Sequence, residues 1–428
     1  MLAVNEIRKQ LNEQILLSRL SRLYCCSESE AMQEAGRYSH VLDGLEKTFG
    51  TQKEAALFSA PGRTEIGGNH TDHQHGCVVA GSVNIDMIAA VAPNSLNRMR
   101  LMSEGYDMCE ADLNDLDKKE EEEGTSSAIL RGMCRAFKTR GASLSGLDLY
   151  VTSNVPGGSG VSSSAAFETL IGTILNELFM NEKADAVEIA KIGQWVENVY
   201  FGKPCGLMDQ MACSVGGVIA IDFKDPSQPI VQKTELDLHK AGFALYIINS
   251  GAGHEDLTDE YAAVPAECCA AAKACGYTHL RDVPEEFFLE RIPQIREECG
   301  DRAVLRALHF FHENRRAQEE AAAIRRHDYA SFLQLVKESS DSSWEYLQNI
   351  TPAGAAKHQE VALTIALARE ALAGEGAVRV HGGGFAGTVQ AFVPEEKAEH
   401  FEAYMEKILG KDACHRMAIR PEGGVRIL

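Results

Sequence analysis

The sequence predicts an α+β fold divided into two lobes, and three observations support this prediction. Stretches with strand and helix patterns follow one another in mixed order, whereas a doubly wound parallel sheet needs regular alternation. The 428 residues suffice for two or three domains with buried cores. Turn-forming residues cluster near 214–225, where two adjacent glycines stand close to an Asp-Pro-Ser turn, and this cluster favours a break between lobes.

Local patterns predict the elements of the first half in chain order. Val4, Ile7, Leu11 and Ile15 recur at helical spacing, which predicts an N-terminal helix packed on the body of the chain. The following patterns predict strands at 76–92 and 146–153, and helices at 162–180, 185–200 and about 207–213.

The second half is predicted to combine short strands with long helices. The patterns indicate strands at 216–222, 243–249, 377–381 and 387–393, and helices at about 259–275, 301–325 and 355–373. We therefore expect an N-terminal helical extension over 1–50 packed on the first lobe, an N-terminal lobe over 51–215 and a C-terminal lobe over 216–428.

Composition narrows the class of protein. The formal net charge of −20 argues against nucleic acid or an anionic membrane as partner, since either needs a basic face. No run of about 18 apolar residues predicts a membrane helix, and residues 1–24 lack the apolar core of a secretion signal. The twelve cysteines show no C-x-x-C spacing, so we expect reduced thiols, no zinc site and a cytoplasmic protein.

Residues 156–166, Pro-Gly-Gly-Ser-Gly-Val-Ser-Ser-Ser-Ala-Ala, form a glycine-rich turn that leads directly into a predicted helix. Glycines let the backbone turn its N–H groups inward, and the start of a helix favours an anion. These features predict a phosphate-binding loop, although a flexible connector that caps the helix would share them. The Gly-Lys-[Ser/Thr] ending of a Walker loop is missing.

A second polar segment covers residues 60–76, between two apolar stretches. Arg63, His70 and Asp72 lie within ten residues there and could line a pocket for a polyhydroxylated ligand, which needs both donors and acceptors. A surface turn is the alternative. A metal site is a weaker one, because the histidines lack a recognisable ligand spacing.

Two further segments add candidate groups. Asp209, within Pro-Cys-Gly-Leu-Met-Asp-Gln at 204–210, is either a structural carboxylate or a general base that a nearby arginine keeps ionised. Glu197 alone would be a solvated helix residue, and the glycines at 382–387 alone would form a turn.

The blocks at 60–73, 156–165, 204–210 and 382–387 resemble, in this order and spacing, the GHMP small-molecule kinases and within them the galactokinases. The resemblance spans about 55–395. It implies a two-lobed GHMP kinase fold with a mixed sheet plus helices in the N-terminal lobe and an antiparallel sheet plus helices in the C-terminal lobe.

The resemblance also implies roles for individual residues. It implies a sugar 1-kinase that uses ATP and Mg²⁺, with Asp209 as catalytic base and Arg63 as its electrostatic partner. The other implied roles are sugar contacts for Asn69, His70, Asp72, Gly206 and Tyr261, phosphate contacts for Gly157, Gly158, Ser159, Gly160, Val161, Ser162, Ser163 and Ser164, and magnesium ligation for Ser164 and Glu197.

Three departures from the galactokinase pattern concern specificity. Asn69 replaces a sugar-contacting glutamate, His73 replaces a tyrosine and Glu65 replaces an asparagine. Galactose is the leading substrate, and the neutral amide of Asn69 would also tolerate a group that glutamate repels, such as a carboxylate. A uronic acid, a pentose or an N-acetylated hexosamine stays open as substrate. A non-catalytic sugar sensor is a further alternative that the intact serine run and Asp209 disfavour, and an interaction protein is another. The sequence leaves monomer and homodimer open.

Overall fold

A computed structural model of the chain describes residues 1–155, 160–253 and 257–428. Its helices are α1 (Val4–Gln10), α2 (Gln14–Tyr24), α3 (Glu28–Phe49), α4 (Ser126–Thr139), α5 (Ser163–Met180), α6 (Ala186–Val196), α7 (Met208–Val215), α8 (Thr258–Ala274), α9 (Glu285–Cys299), α10 (Asp301–Arg325), α11 (Tyr329–Ser342), α12 (Glu360–Leu372) and α13 (Ala398–Leu409). None of the helices in these ranges is long and apolar enough to cross a membrane.

The strands belong to two sheets. They are β1 (Leu2–Ala3), β2 (Glu54–Gly67), β3 (Cys77–Pro93), β4 (Arg98–Ser103), β5 (Cys109–Asp112), β6 (Leu147–Ser153), β7 (Val218–Asp222), β8 (Ile230–Thr234), β9 (Phe243–Asn249), β10 (Ala377–His381), β11 (Thr388–Pro394), β12 (Cys414–Met417) and β13 (Val425–Arg426). The strand and helix predictions at 146–153, 162–180, 243–249 and 301–325 are confirmed within a residue.

The first sheet is mixed, with the order β1-β2-β3-β6-β4-β5. Its β4 and β6 run parallel, whereas β2, β3 and β6 pair antiparallel. The second sheet has the order β10-β11-β9-β12 and is antiparallel throughout its described strands. This division confirms the predicted α+β class with one mixed and one antiparallel sheet.

Sheet membership does not change at the predicted lobe boundary of 215/216. β7 pairs with β3, and β8 pairs with β7, so both strands extend the first sheet. The chain moves to the second sheet only between Thr234 and Phe243, and β13 returns to pair with β2. We keep the interpretation of two lobes. The first sheet contains strands from both sides of the predicted boundary.

The N-terminal extension packs its apolar face on one side of the first sheet. Val4, Ile7 and Leu11 are buried in a cluster that includes residues of α2, α3, β2 and β3. The predicted stripe fails at Ile15, which is 83% exposed. A turn between α1 and α2 separates Ile15 from the first three residues and changes the direction of the helix.

The polar segment that follows residue 60 is a strand in its first half, not a turn. β2 continues to Gly67 and is buried from Ala55 onward, because helices of the N-terminal extension and residues of the second lobe cover it. Among the second-lobe contacts, Arg379 of β10 donates to Glu65 at 2.7 Å and Gln390 of β11 donates to Thr64 at 2.7 Å. Polar residues of β2 therefore form part of the contact between the two sheets.

Candidate active site

Arg63 and Asp209 form a two-point ion pair at the centre of the site. Arg63 lies on β2, and Asp209 lies in the first turn of α7. The Arg63 Nε atom donates to one carboxylate oxygen of Asp209 at 2.7 Å, and Nη2 donates to the other at 2.9 Å. Burial raises the pKa of Asp209, but the Arg63 charge outweighs this effect and holds the pKa below its ordinary value. Asp209 is therefore ionised at neutral pH.

The described part of the glycine-rich loop contacts this ion pair directly. Arg63 donates to the carbonyl of Gly160 through its guanidinium and to the carbonyl of Val161 through its backbone N–H. Ser162 adopts the left-handed conformation (φ 59°) before α5, and its hydroxyl donates to Asp209 instead of capping the helix. The first N–H groups of α5 are thus not capped by the Ser162 side chain. Gly157, Gly158 and Ser159 lie outside the described residues.

Five of the predicted site residues border one cavity of about 160 Å³. Its described lining consists of Asp72, Ser164, Glu197, Lys203, Cys205, Gly206, Met208, Asp209 and Gln210. The lining brings the predicted magnesium residues Ser164 and Glu197 to the same space as the Asp209 carboxylate. Gly206 allows Asp72 to come close, since a Cβ atom there would lie 2.4 Å from a carboxylate oxygen of Asp72.

Glu197 is held by a chain of buried polar groups. It begins a π-helical turn that follows α6, and it is only 3% exposed. The amide of Gln210 donates to Glu197 at 2.8 Å and to Glu168 at 3.1 Å, so one side chain joins two carboxyl groups. Burial, followed by the charge of Glu197, raises the pKa of Glu168 well above its ordinary value. This shift favours the protonated form of Glu168, which limits the repulsion between the two acids.

The remaining predicted sugar contacts surround the glycine turn at 382–384. Asn69 donates to the carbonyl of Gly382 at 2.7 Å, His70 to that of Gly383 at 2.9 Å, and the Tyr261 hydroxyl to that of Gly384 at 2.8 Å. Burial and the neighbouring His73 lower the pKa of His70 to about 3, so its ring is neutral. These residues are not among the described residues that line the cavity, and their contact with a sugar stays a prediction.

Asn69 is fully buried, and protein groups occupy both ends of its amide. Its Nδ2 atom also donates to Glu65 at 2.9 Å, and its Oδ1 atom accepts from Asn349 at 2.8 Å. Asn69 and Glu65, two of the three departures from the galactokinase pattern, are thus hydrogen-bonded to each other. A change of either residue that removes this hydrogen bond would leave Glu65 with Arg379 and Asn69 with Gly382 and Asn349 as partners.

The donor set at the cavity fits Mg²⁺. Ser164 and Glu197 offer a hydroxyl and a carboxylate, and Mg²⁺ binds through one or two carboxylates together with water and substrate phosphates. No group of three or more His, Cys, Asp or Glu side chains able to hold a metal occurs in the described ranges. A magnesium ion here would therefore depend on oxygens that the nucleotide brings.

Sequence reasoning did not identify Glu168, Gln210, Lys203 or Asn349 as members of the site. Gln210 directly follows Asp209, and Lys203 lies in the linker before α7, so proximity to a candidate residue is the signal that could have found them. Glu168 and Asn349 carry no such signal, because only the packing of helices brings them to Gln210 and Asn69.

Two family models match the segments that supply this site. The model described as GHMP kinases N terminal domain matches residues 127–217, which include α5, Glu197 and Asp209. The model described as Galactokinase galactose-binding signature matches residues 45–93, which include Arg63 and the polar segment after it.

Known proteins of one family resemble the chain over most of its length. The galactokinase of Glaesserella parasuis serovar 5 (strain SH0165) is 33% identical over 357 residues, covering 83% of this chain and 89% of that protein. The galactokinase of Actinobacillus pleuropneumoniae is 33% identical over 353 residues, covering 80% and 86%. The crystal structure of Lactococcus lactis galactokinase complexed with galactose superposes with a TM-score of 0.76 at 25% identity and covers 90% of this chain and 99% of that one. The chain therefore belongs to the galactokinases, the sugar kinases of this name within the GHMP kinase family.

Proposed function

We propose that this protein transfers the terminal phosphoryl group of ATP to the C1 hydroxyl of D-galactose, with Asp209 and Arg63 as its catalytic pair. The observation that carries the proposal is that Asp209, held by Arg63, borders a cavity shared with Ser164 and Glu197. Phosphoryl transfer requires an aligned acceptor hydroxyl and groups that neutralise charge on the phosphates. The same cavity offers candidates for both requirements.

Asp209 orients the sugar hydroxyl and accepts its proton. With its pKa below the ordinary value, Asp209 is ionised at neutral pH but is a weak base. The proton therefore moves to it as the sugar oxygen forms its bond to the γ-phosphorus and the bond from that phosphorus to the bridging oxygen breaks. ADP leaves with the electrons of the broken bond. Arg63 holds the carboxylate in position and links it to the carbonyl of Gly160, so the base and the phosphate loop stay aligned.

ATP and Mg²⁺ complete the proposal. Residues 157–164 would bind the triphosphate. The conformation of Ser162, which is left-handed before α5, supports this part of the proposal. Because the Ser162 side chain does not cap the helix, the first N–H groups of α5 are not occupied by it. Ser164 and Glu197 would hold Mg²⁺, which when bound offsets negative charge on the phosphate oxygens. Gln210 keeps Glu197 directed toward the cavity.

Sugar recognition is assigned to Asn69, His70, Asp72, Gly206 and Tyr261. Asp72 borders the cavity and presents a carboxylate that accepts hydrogen bonds from sugar hydroxyls. Galactose is named because the galactose-binding signature matches 45–93 and the similar Lactococcus lactis structure contains galactose.

We also propose a cytoplasmic location, with a small sugar and MgATP as partners and neither nucleic acid nor membrane. All twelve cysteines carry free thiols, which fits a reducing compartment. The net charge of −20 supports the exclusion of polyanionic partners.

A panel of sugars with detection of ADP formation tests the proposed function. Galactose should stimulate ADP formation strongly in the wild-type protein, and uronic acids, pentoses and N-acetylhexosamines should stimulate it less. Asp209→Asn should lower kcat by a factor of roughly 10² or more, since it removes the proton acceptor. The control is Asp237→Asn at an exposed position of the second lobe. Absence of stimulation by any sugar, or an Asp209→Asn variant as active as wild type, would contradict the proposal.

A further inference from the structure

Lys203 stands at the entrance of the cavity, in a position fixed by the backbone. It follows Gly202, which ends the π-helical turn in the left-handed conformation (φ 82°). The backbone N–H of Lys203 then donates to the carbonyl of Glu197 at 3.1 Å. This hydrogen bond holds the backbone of Lys203 next to Glu197, the predicted magnesium ligand.

The side chain of Lys203 has its ammonium group 3.7 Å from a carboxylate oxygen of Glu197. Glu197 is almost fully buried, whereas the Lys203 side chain is 65% exposed, so the pair spans the boundary between the cavity and solvent. At 3.7 Å and with one partner in water, such a pair contributes little to stability. The ammonium group can therefore leave Glu197 at small energetic cost when a stronger anion arrives.

The side chains that line the cavity carry more negative than positive charge. Three carboxylates, those of Asp72, Glu197 and Asp209, border it, and Lys203 is the one lysine or arginine in its described lining. Arg63 is engaged by both oxygens of Asp209. An incoming triphosphate adds further negative charge to this acidic space, so a cation that is not already committed is needed.

We propose that Lys203 is a phosphate-contacting residue of this kinase, whose ammonium group moves from Glu197 to an oxygen of the β- or γ-phosphate when ATP binds. The inference rests on the proposed function. A lysine suits this exchange, because its compact charge sits on a flexible four-carbon stem with three donors. In the protein without nucleotide, the same charge offsets the carboxylates of the cavity.

Binding of a non-hydrolysable ATP analogue tests the inference independently of turnover. Calorimetric titration with AMP-PNP and Mg²⁺ compares wild type with Lys203→Met and Lys203→Arg, and AMP serves as the ligand without β- and γ-phosphates. Lys203→Met should weaken AMP-PNP binding by roughly tenfold, the low end for a charge-assisted hydrogen bond at an exposed position. AMP binding should stay unchanged, and Lys203→Arg should restore most of the affinity for AMP-PNP.

The matched control is Lys191→Met, on α6. Lys191 donates to the carbonyl of Ser227 at 2.7 Å and does not border the cavity. In steady-state assays, Lys203→Met should raise the KM for MgATP and leave the KM for the sugar unchanged. Thermal melts establish that each variant is folded, and Lys203→Met should keep the melting temperature of wild type because its ion pair is weak.

The outcomes separate this inference from the proposed function. Wild-type affinity of Lys203→Met for AMP-PNP, or an equal loss of affinity for AMP and AMP-PNP, overturns the role of Lys203 alone. A wild-type protein that binds AMP-PNP but forms no ADP with any sugar contradicts the proposed function. In that case the AMP-PNP affinities of wild type and Lys203→Met still decide whether Lys203 contacts the phosphates. Absence of AMP-PNP binding in the wild type overturns both.

Discussion

Asn69 shows how a single substitution within a family pattern is accommodated by its neighbours. Its Nδ2 atom faces two acceptors, Glu65 and the carbonyl of Gly382, and its Oδ1 atom faces a donor, Asn349. Burial raises the pKa of Glu65, although Arg379 and Arg63 act in the opposite direction. The Asn69 amide donates to Glu65 and to Gly382, so the side chain acts in the contact between the lobes whether or not a sugar also reaches it.

Asn69→Asp should destabilise the protein by roughly 2 kcal/mol. The new carboxylate would face two acceptors without a hydrogen to donate, and leaving buried polar groups unpaired costs about 1–3 kcal/mol. Urea unfolding followed by fluorescence would measure the loss. Asn12→Asp, at an exposed position, is the control and should change the free energy of unfolding by less than about 0.5 kcal/mol. Equal stability of the two variants would contradict this account of Asn69.

The ordered sequence blocks identified candidate residues such as Arg63 and Asp209, and they did not predict the partners that tertiary packing supplies. Arg63 and Asp209 are 146 positions apart and form the expected ion pair. Asn69 was predicted to face a sugar, but its hydrogen bonds to Gly382 and Asn349 depend on how the second lobe meets β2. No local pattern carries that information.

At the scale of elements, the linker between the π-helical turn and α7 positions the side of the cavity to which we assign the sugar. Gly206 lies in this linker, and it lacks a side chain where Asp72 comes close. Gly206→Ala should displace Asp72 and raise the KM for the sugar by roughly tenfold, about 1.4 kcal/mol of lost binding, with a smaller effect on the KM for MgATP. Steady-state kinetics with both substrates varied would check this split.

A glycine in an open position provides the control for Gly206. Gly36 lies within α3, and apart from its chain neighbours and the backbone of its own helix no atom lies within 4 Å of the Cβ position there. Gly36→Ala should leave both KM values unchanged and stabilise the protein slightly, since alanine favours a helix by up to about 1 kcal/mol over glycine. A rise of both KM values in Gly206→Ala would indicate general damage to the site instead of a local effect on Asp72.

Elements were predicted well where one pattern continued unbroken, and less well where tertiary contacts override it. α10 and β9 match their predicted bounds, because each has a long uniform pattern. β2 was not recognised beyond residue 60, since its polar residues are buried against groups of the second lobe. The predicted helical stripe failed at Ile15 for another reason, because a turn between α1 and α2 keeps the apolar spacing but changes the direction of the chain.

At the scale of the whole molecule, a buried group of charged side chains joins the two lobes around Glu320 of α10. Glu313 and Arg316 come from the same helix, Arg379 from β10 and Glu65 from β2. Neither carboxyl oxygen of Glu320 has a hydrogen-bond partner among the described residues. A Cβ atom at Gly67 would overlap one of these oxygens, so the glycine leaves the space that Glu320 occupies.

Glu320→Gln should stabilise the protein increasingly as the pH rises. Burial, followed by the charge of Glu313, raises the pKa of Glu320 well above its ordinary value of 4.5, against the opposing charges of Arg379 and Arg316. Below pH 4.5 the folded and unfolded states both hold the proton. Above it the unfolded state loses the proton first, so the contribution of Glu320 to stability falls as the pH rises toward its folded pKa.

Glutamine resembles the protonated acid in shape and does not titrate, so the variant escapes this loss. The free energy of unfolding of Glu320→Gln minus that of wild type should grow by up to about 1.4 kcal/mol for each pH unit above the unfolded pKa. Urea unfolding at a series of pH values between 5 and 8 measures the difference. Glu319→Gln alters the exposed neighbour on the same helix and serves as the control. A flat profile for Glu320→Gln, or the same slope in both variants, would mean that Glu320 is ionised in the folded protein and that the surrounding arginines hold it so.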